Sequence, residues 1–172
     1  MQRSRVLADT RPLRNPDYRR LWVANAITVV GAQLTVVAVP AQIYADTGSS
    51  AYVGLTGVFG LVPLVVFGLY GGALADTFDR RTLLMITTVG LIVTSGLFWA
   101  QAAAGSTNVW LLLGLFSLQQ AFFGVNQPTR SALIPKLVEP ELLPAANSLG
   151  MTVTMAGGIA GPLLAGVLIP VV

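Results

Sequence analysis

The chain has 172 residues, of which 54% are hydrophobic and only 10% charged, with a net charge of +3. An ordinary soluble domain carries about 25% charged residues, so this composition excludes a domain wrapped in a polar surface. Cysteine and histidine are both absent, which removes disulfides, thiolate chemistry, and the commonest general base and metal ligand.

In chain order, residues 1–20 form a polar amino-terminal segment and residues 21–172 a transmembrane domain. Apolar stretches run from about Leu21 to Tyr44, Tyr52 to Ala75, Thr82 to Ala103, Val109 to Val125 and Pro144 to Val172. Each approaches or exceeds the ~20 residues that a helix needs to cross ~30 Å of hydrocarbon. Backbone groups in lipid must be satisfied within their own segment, so these spans are expected to be helices. The fold class is therefore an all-α polytopic transmembrane bundle. The first span is too long for a signal-peptide core and no small-residue cleavage site follows it, which argues against a cleaved signal. Connectors at 46–50, 76–81 and 104–108 are short and polar. In the longer connector at 126–143, Pro128, Pro135 and Pro140 limit any helix to a brief interfacial one, capped near Thr129 or Ser131. The apolar run continues to Val172, so further helices are expected beyond it.

The basic residues set an orientation. Arg3, Arg5, Arg11, Arg14, Arg19 and Arg20 precede the first span, Arg80 and Arg81 lie in the second connector, and Arg130 and Lys136 lie in the fourth. These are all ten basic residues. The first and third connectors have none, so the positive-inside rule puts the amino terminus and the even connectors in the cytoplasm. Charges confined to short segments between apolar runs argue against nucleic acid. The few scattered carboxylates give no basis for an enzyme, and no cofactor or metal is implied.

Within the spans, Gly157, Gly161 and Ala165 share one face of a helix, where small residues let helices approach closely. Glycines cluster at 54, 57, 60 and at 68, 71, 72 in the second span. Pro40, Pro63 and Pro162 are expected to bend their helices. Asn25, Gln33 and Gln119 are candidates for lining a wet path or for bonding between helices. No ionisable residue falls deep in a span as drawn here, so no mid-membrane proton relay is expected.

Gly72, Leu74, Ala75, Asp76, Arg80 and Arg81 resemble the loop between helices two and three of the major facilitator superfamily. Thr77 stands where that loop usually has a basic residue, and Asp79 where it usually has glycine. Gly157, Gly161, Pro162, Ala165 and Gly166 resemble the helix-five motif of proton-coupled exporters in the superfamily, with Ala165 replacing a glycine. Two further segments, from Asn15 to Trp22 and from Asn126 to Pro135, resemble drug and siderophore exporters related to the enterobactin exporter.

The resemblance implies twelve spans in two halves, of which this chain supplies helices one to five, and residence in the bacterial inner membrane. It also implies proton-coupled efflux of a small amphipathic organic compound. The partners would then be the lipid bilayer, that substrate, protons, and the missing carboxy-terminal helices. Gly72, Asp76, Arg80 and Arg81 would form a conformational latch on the cytoplasmic side. A siderophore exporter, and a non-transporting scaffold or degenerate remnant, remain as alternatives. The piece alone is not expected to transport.

Overall fold

The computed structural model describes residues 9–168, apart from the side chains of Ala75, Asp76 and Leu168. Among the described residues the regular elements are all helical. Five are long and apolar enough to cross a membrane: α1 (Pro16–Thr47), α2 (Ser50–Thr77), α3 (Arg80–Ala103), α4 (Val109–Leu137) and α5 (Leu143–Leu168). Short 3-10 turns precede α1 (Arg11–Arg14) and α5 (Pro140–Leu142).

Local chemistry sets the helix ends. Asn15 precedes Pro16, a residue pre-organised for the first helical position, and its Oδ1 accepts from the Asp17 amide at 2.9 Å. Asp79 caps α3, accepting from the Thr82 amide and hydroxyl, both at 2.9 Å. Asn108 caps α4 through the amides of Trp110 and Leu111. These side chains satisfy amide groups that a helix start leaves without partners. Gly48 and Gly105 close α1 and α3 with φ of 63° and 61°, a conformation that glycine adopts without a Cβ clash.

Helix α4 departs from expectation. It runs on past Val125 to Leu137, through Pro128 and Pro135, where the sequence suggested a connector. Each proline removes one amide donor, but tertiary bonds hold this stretch in place. Asn126 bonds to α3, and Arg80 Nη1 donates to the Ala132 carbonyl at 2.8 Å. α1, α2 and α5 likewise continue through Pro40, Pro63 and Pro162. The final stretch, 169–172, lies outside the described residues.

The chain divides into two compact units, one formed by Met1–Leu34 with Leu133–Val172 and the other by Thr35–Ala132. In the first, Tyr18, Val138, Ala146 and Leu149 form the core, with Trp22 and Leu142 against it. The start of α1 lies along α5 there. Tyr18 donates its hydroxyl to the Ala146 carbonyl at 2.9 Å, and Trp22 Nε1 donates to Leu149 at 3.1 Å. Further along, Val29 meets Gly157 and Gln33 meets Gly161. Both residue numbers rise together, so the two helices run parallel, as two odd-numbered spans must.

In the second unit, Val39, Ile43, Leu112, Leu113 and Phe116 form the core. α4 packs parallel to α2, with Phe116 beside Gly60 and Val125 beside Gly71. It packs antiparallel to α3, with Gln119 near Ser95, Phe122 against Gly90 and Asn126 bonded to Thr87. Outward-facing residues such as Leu61, Leu69, Ile92 and Ile159 are exposed and apolar, the surface expected toward lipid. Tyr44, Tyr52, Trp99 and Trp110 are exposed near the α1–α2 and α3–α4 connectors, where amphipathic rings suit a membrane interface.

Candidate functional site

The α2–α3 connector is ordered by its own charges. Asp79 caps α3, and Arg80 reaches the Ala132 carbonyl, so the connector is tied to the last third of α4. The loop resemblance has glycine at this position; aspartate supplies a helix cap there instead. Arg81 is exposed. Gly72 has open space where a side chain would lie. The Asp76 side chain, expected in the latch, lies outside the described residues.

Of the glycines clustered at 68, 71 and 72, Gly71 makes the close backbone approach. A Cβ at Gly71 would lie 2.9 Å from the Val125 Cα, and one at Gly124 would lie 2.7 Å from the Leu64 carbonyl oxygen. α2 and α4 therefore meet backbone to backbone, which any side chain at Gly71 or Gly124 would force apart.

Beside this contact lies a polar network that the sequence reading missed. Arg130, which the sequence places in the fourth connector, lies within α4 and is only 4% exposed. Arg130 Nη2 donates to Asn126 Oδ1 at 3.1 Å. Asn126 Nδ2 donates to the hydroxyls of Thr87 at 2.9 Å and Thr88 at 3.2 Å. Both hydroxyls donate in turn to carbonyls of α3. Asn126 and Arg130 stand four apart on one helix face. That spacing was legible, but it has meaning only once α4 is known to continue through Pro128.

On α5, the glycine motif forms a contact surface. Gly157, Gly161 and Ala165 are buried in a line with Ala146, Leu149 and Val153. A Cβ on Gly157 would come within 2.6 Å of Val29 Cγ1. At Gly161 it would collide with Gln33 Cβ and lie 3.0 Å from the backbone of Gln33 and Leu34. Pro162 is half-buried, while Gly166 is exposed and faces open space.

The polar candidates differ in setting. Gln33 is half-buried, with its stem against Gly161. Asn25 is buried two turns earlier on the same face, and its Oδ1 has no hydrogen-bond partner. In the other unit, Gln119 is buried, with Nε2 3.5 Å from Ser95 Oγ and Oε1 unpartnered. A buried amide oxygen without a donor is costly, and both are open to a partner or a water.

The family described as transmembrane secretion effector matches residues 8–172. The chain belongs to this family, within the major facilitator superfamily. It is similar to the enterobactin exporters of Citrobacter koseri and Shigella boydii, each 31% identical over 157 residues. That of Salmonella typhimurium is 30% identical over the same length. In each case the match covers 90% of this chain and 37% of the relative. The chain thus spans little more than a third of the length of these relatives. No solved structure matches it. Membership makes this a multi-pass membrane protein of a transporter superfamily and not an enzyme. Among the described residues no cluster of carboxylates could hold a metal ion.

Proposed function

We propose that this chain is the amino-terminal part of a secondary active exporter that uses the proton gradient to expel a small amphipathic organic compound. The observation that carries the proposal is the likeness to exporters over 90% of the chain, combined with close helix contacts at Gly71, Gly124, Gly157 and Gly161. Glycine-lined contacts such as α1–α5 and α2–α4 allow helices to shift as bodies between two arrangements. In this reading, Gly72, Asp76, Arg80 and Arg81 form the cytoplasmic latch. Arg80 acts by gripping the Ala132 carbonyl, and the Arg130–Asn126 network keeps that end of α4 fixed on α3. The motif of Gly157, Gly161, Pro162, Ala165 and Gly166 lets α5 move against α1, while Asn25, Gln33 and Gln119 offer polar contacts to substrate. The match covers 37% of each relative, and in this reading further helices complete the path.

The deciding experiment measures gradient-dependent efflux from cells or vesicles carrying the full-length protein, with Asp76→Asn as the latch variant. Efflux that collapses with the gradient and fails in Asp76→Asn supports the proposal. Normal transport by that variant refutes the latch. Orientation has a separate test, made clean by the absence of cysteine. A cysteine introduced at Thr107 is expected to react with an impermeant maleimide from outside, and one at Phe78 only after the membrane is opened.

A second reading, siderophore export, is favoured by the likeness to enterobactin exporters. Loss of siderophore secretion in a deletion strain, with drug accumulation unchanged, would select it.

A further inference from the structure

One exposed side of α5 carries hydrogen-bonding capacity of a single kind. Pro162 lies inside this helix and has no amide hydrogen, so the Gly158 carbonyl loses the donor that normally stands four residues on. The proline ring also crowds that carbonyl and opens the helix there. Gly158 is exposed, and neither a side chain nor a neighbouring helix comes within 4 Å of the point where its Cβ would lie.

Met151, Thr154 and Met155 share that side with Gly158, at helical spacings of three and four. Thr154 is exposed, and its hydroxyl donates to the Gly150 carbonyl at 3.2 Å, which leaves its oxygen able only to accept. Both methionines are 63% exposed, and a thioether sulfur accepts weakly and donates nothing. This side of α5 thus presents a carbonyl, a hydroxyl oxygen and two sulfurs, acceptors all. The helix contains no Lys or Arg to meet an anion.

Hydrocarbon supplies no donor to a carbonyl that a proline has freed, and leaving one unpaired there is costly. The occupant that suits this side of α5 therefore brings its own donor. Methionine side chains adapt to varied apolar shapes and make favourable contacts with aromatic rings, so the remainder of that occupant is apolar and best matched when aromatic. We infer that the Gly158 carbonyl is a substrate-selecting acceptor. It takes an N–H or O–H bond from a neutral or cationic aromatic amphiphile whose ring lies on Met151 and Met155. The assignment rests on the exporter reading and adds a chemical class to it: donor-bearing compounds, in preference to their N-methylated counterparts and to anions.

The test is binding of two dyes of equal charge to the full-length protein in detergent, read by fluorescence anisotropy. Rhodamine 123 carries N–H donors, and tetramethylrhodamine methyl ester has methyl groups in their place. Methyl groups also strengthen apolar binding, so the readout is the ratio of the two dissociation constants. Pro162→Ala returns an amide hydrogen to the Gly158 carbonyl, and alanine is favoured in a helix interior. That variant is expected to shift the ratio about two- to tenfold against rhodamine 123, the worth of one hydrogen bond to a neutral carbonyl. Gly158→Leu fills the open space beside the carbonyl and is expected to weaken both dyes alike. An unchanged ratio in Pro162→Ala overturns the assignment. Unchanged binding of both dyes to Gly158→Leu also overturns it, because another helix of the full-length protein would then cover this side of α5. Failure of either dye to bind the unsubstituted protein overturns it as well. The exporter reading fails separately, through absent gradient-dependent efflux, and stands if only the dye preference is lost.

Discussion

Replacing Gly161 by alanine puts a methyl group where α1 and α5 are closest. The new carbon would collide with Gln33 Cβ and sit 3.0 Å from the backbone of Gln33 and Leu34. Backbone cannot rotate away, so the helices must separate locally. Overpacking of this kind costs about 1–3 kcal/mol. Alanine recovers about 1 kcal/mol of helix propensity relative to glycine, leaving a net loss of up to about 2 kcal/mol. A kcal/mol shifts the midpoint by about 2–4 °C in a chain of roughly 150–250 residues and by less in a longer one, so the midpoint of thermal unfolding of the full-length protein should fall by up to a few degrees.

Gly158 and Gly166 lie on the same helix but face open space. Gly158→Ala and Gly166→Ala should therefore leave the midpoint unchanged or raise it. Gly157→Ala belongs between these cases, because its nearest obstacle is a side chain, Val29, and the nearest backbone atom is 3.5 Å away. The assay is fluorescence-monitored unfolding of the four variants of the full-length protein in one detergent. Indistinguishable midpoints for Gly161→Ala and Gly158→Ala would refute the claim that α1 and α5 meet through Gly161.

Other substitutions separate the remaining contacts. Asn15→Ala removes both the α1 cap and the bond that Asn15 Nδ2 donates to the Leu137 carbonyl, and is expected to cost about 1–2 kcal/mol. Asn15→Asp, which keeps the cap acceptor but not the donor, should cost less in the same unfolding assay. Asp79→Ala should destabilise by about 1 kcal/mol, whereas Asp79→Gly should cost only a few tenths, since glycine is also tolerated at a helix start. Asn126→Leu strips Arg130 of a buried acceptor and should cost about 1–3 kcal/mol. Thr87→Val should be milder, because Thr88 still accepts from Asn126. Hydrogen exchange along α3 and α4 would report both. Tyr18→Phe deletes one buried hydrogen bond to Ala146 and should cost about 1 kcal/mol, seen as faster exchange in the first turns of α5.

Five helices, their approximate limits and their membrane-spanning character were legible in the sequence, because apolar length and the exclusion of charge are properties of a segment by itself. Caps act just as locally, since Asn15, Asp79 and Asn108 bond amides two or three residues away, but the cap expected near Thr129 or Ser131 is overturned because both lie inside α4. The small-residue face of Gly157, Gly161 and Ala165 could also be drawn from helical spacing alone, though not the partner it meets. Only the tertiary structure decided that the partner is α1 in parallel, and that Gly71, of the glycines at 68, 71 and 72, is the one pressed on the α4 backbone. It also decided that α4 continues through Pro128 and Pro135 to bury Arg130. Proline penalises a helix locally, and a charge penalises burial wherever it stands. The stretch is held by bonds from residues tens of positions away in sequence: Arg80 grips Ala132, and Thr87 and Thr88 fix Asn126, which accepts from Arg130. A local reading of the chain contains no term for such partners, and so it placed Arg130 in a loop.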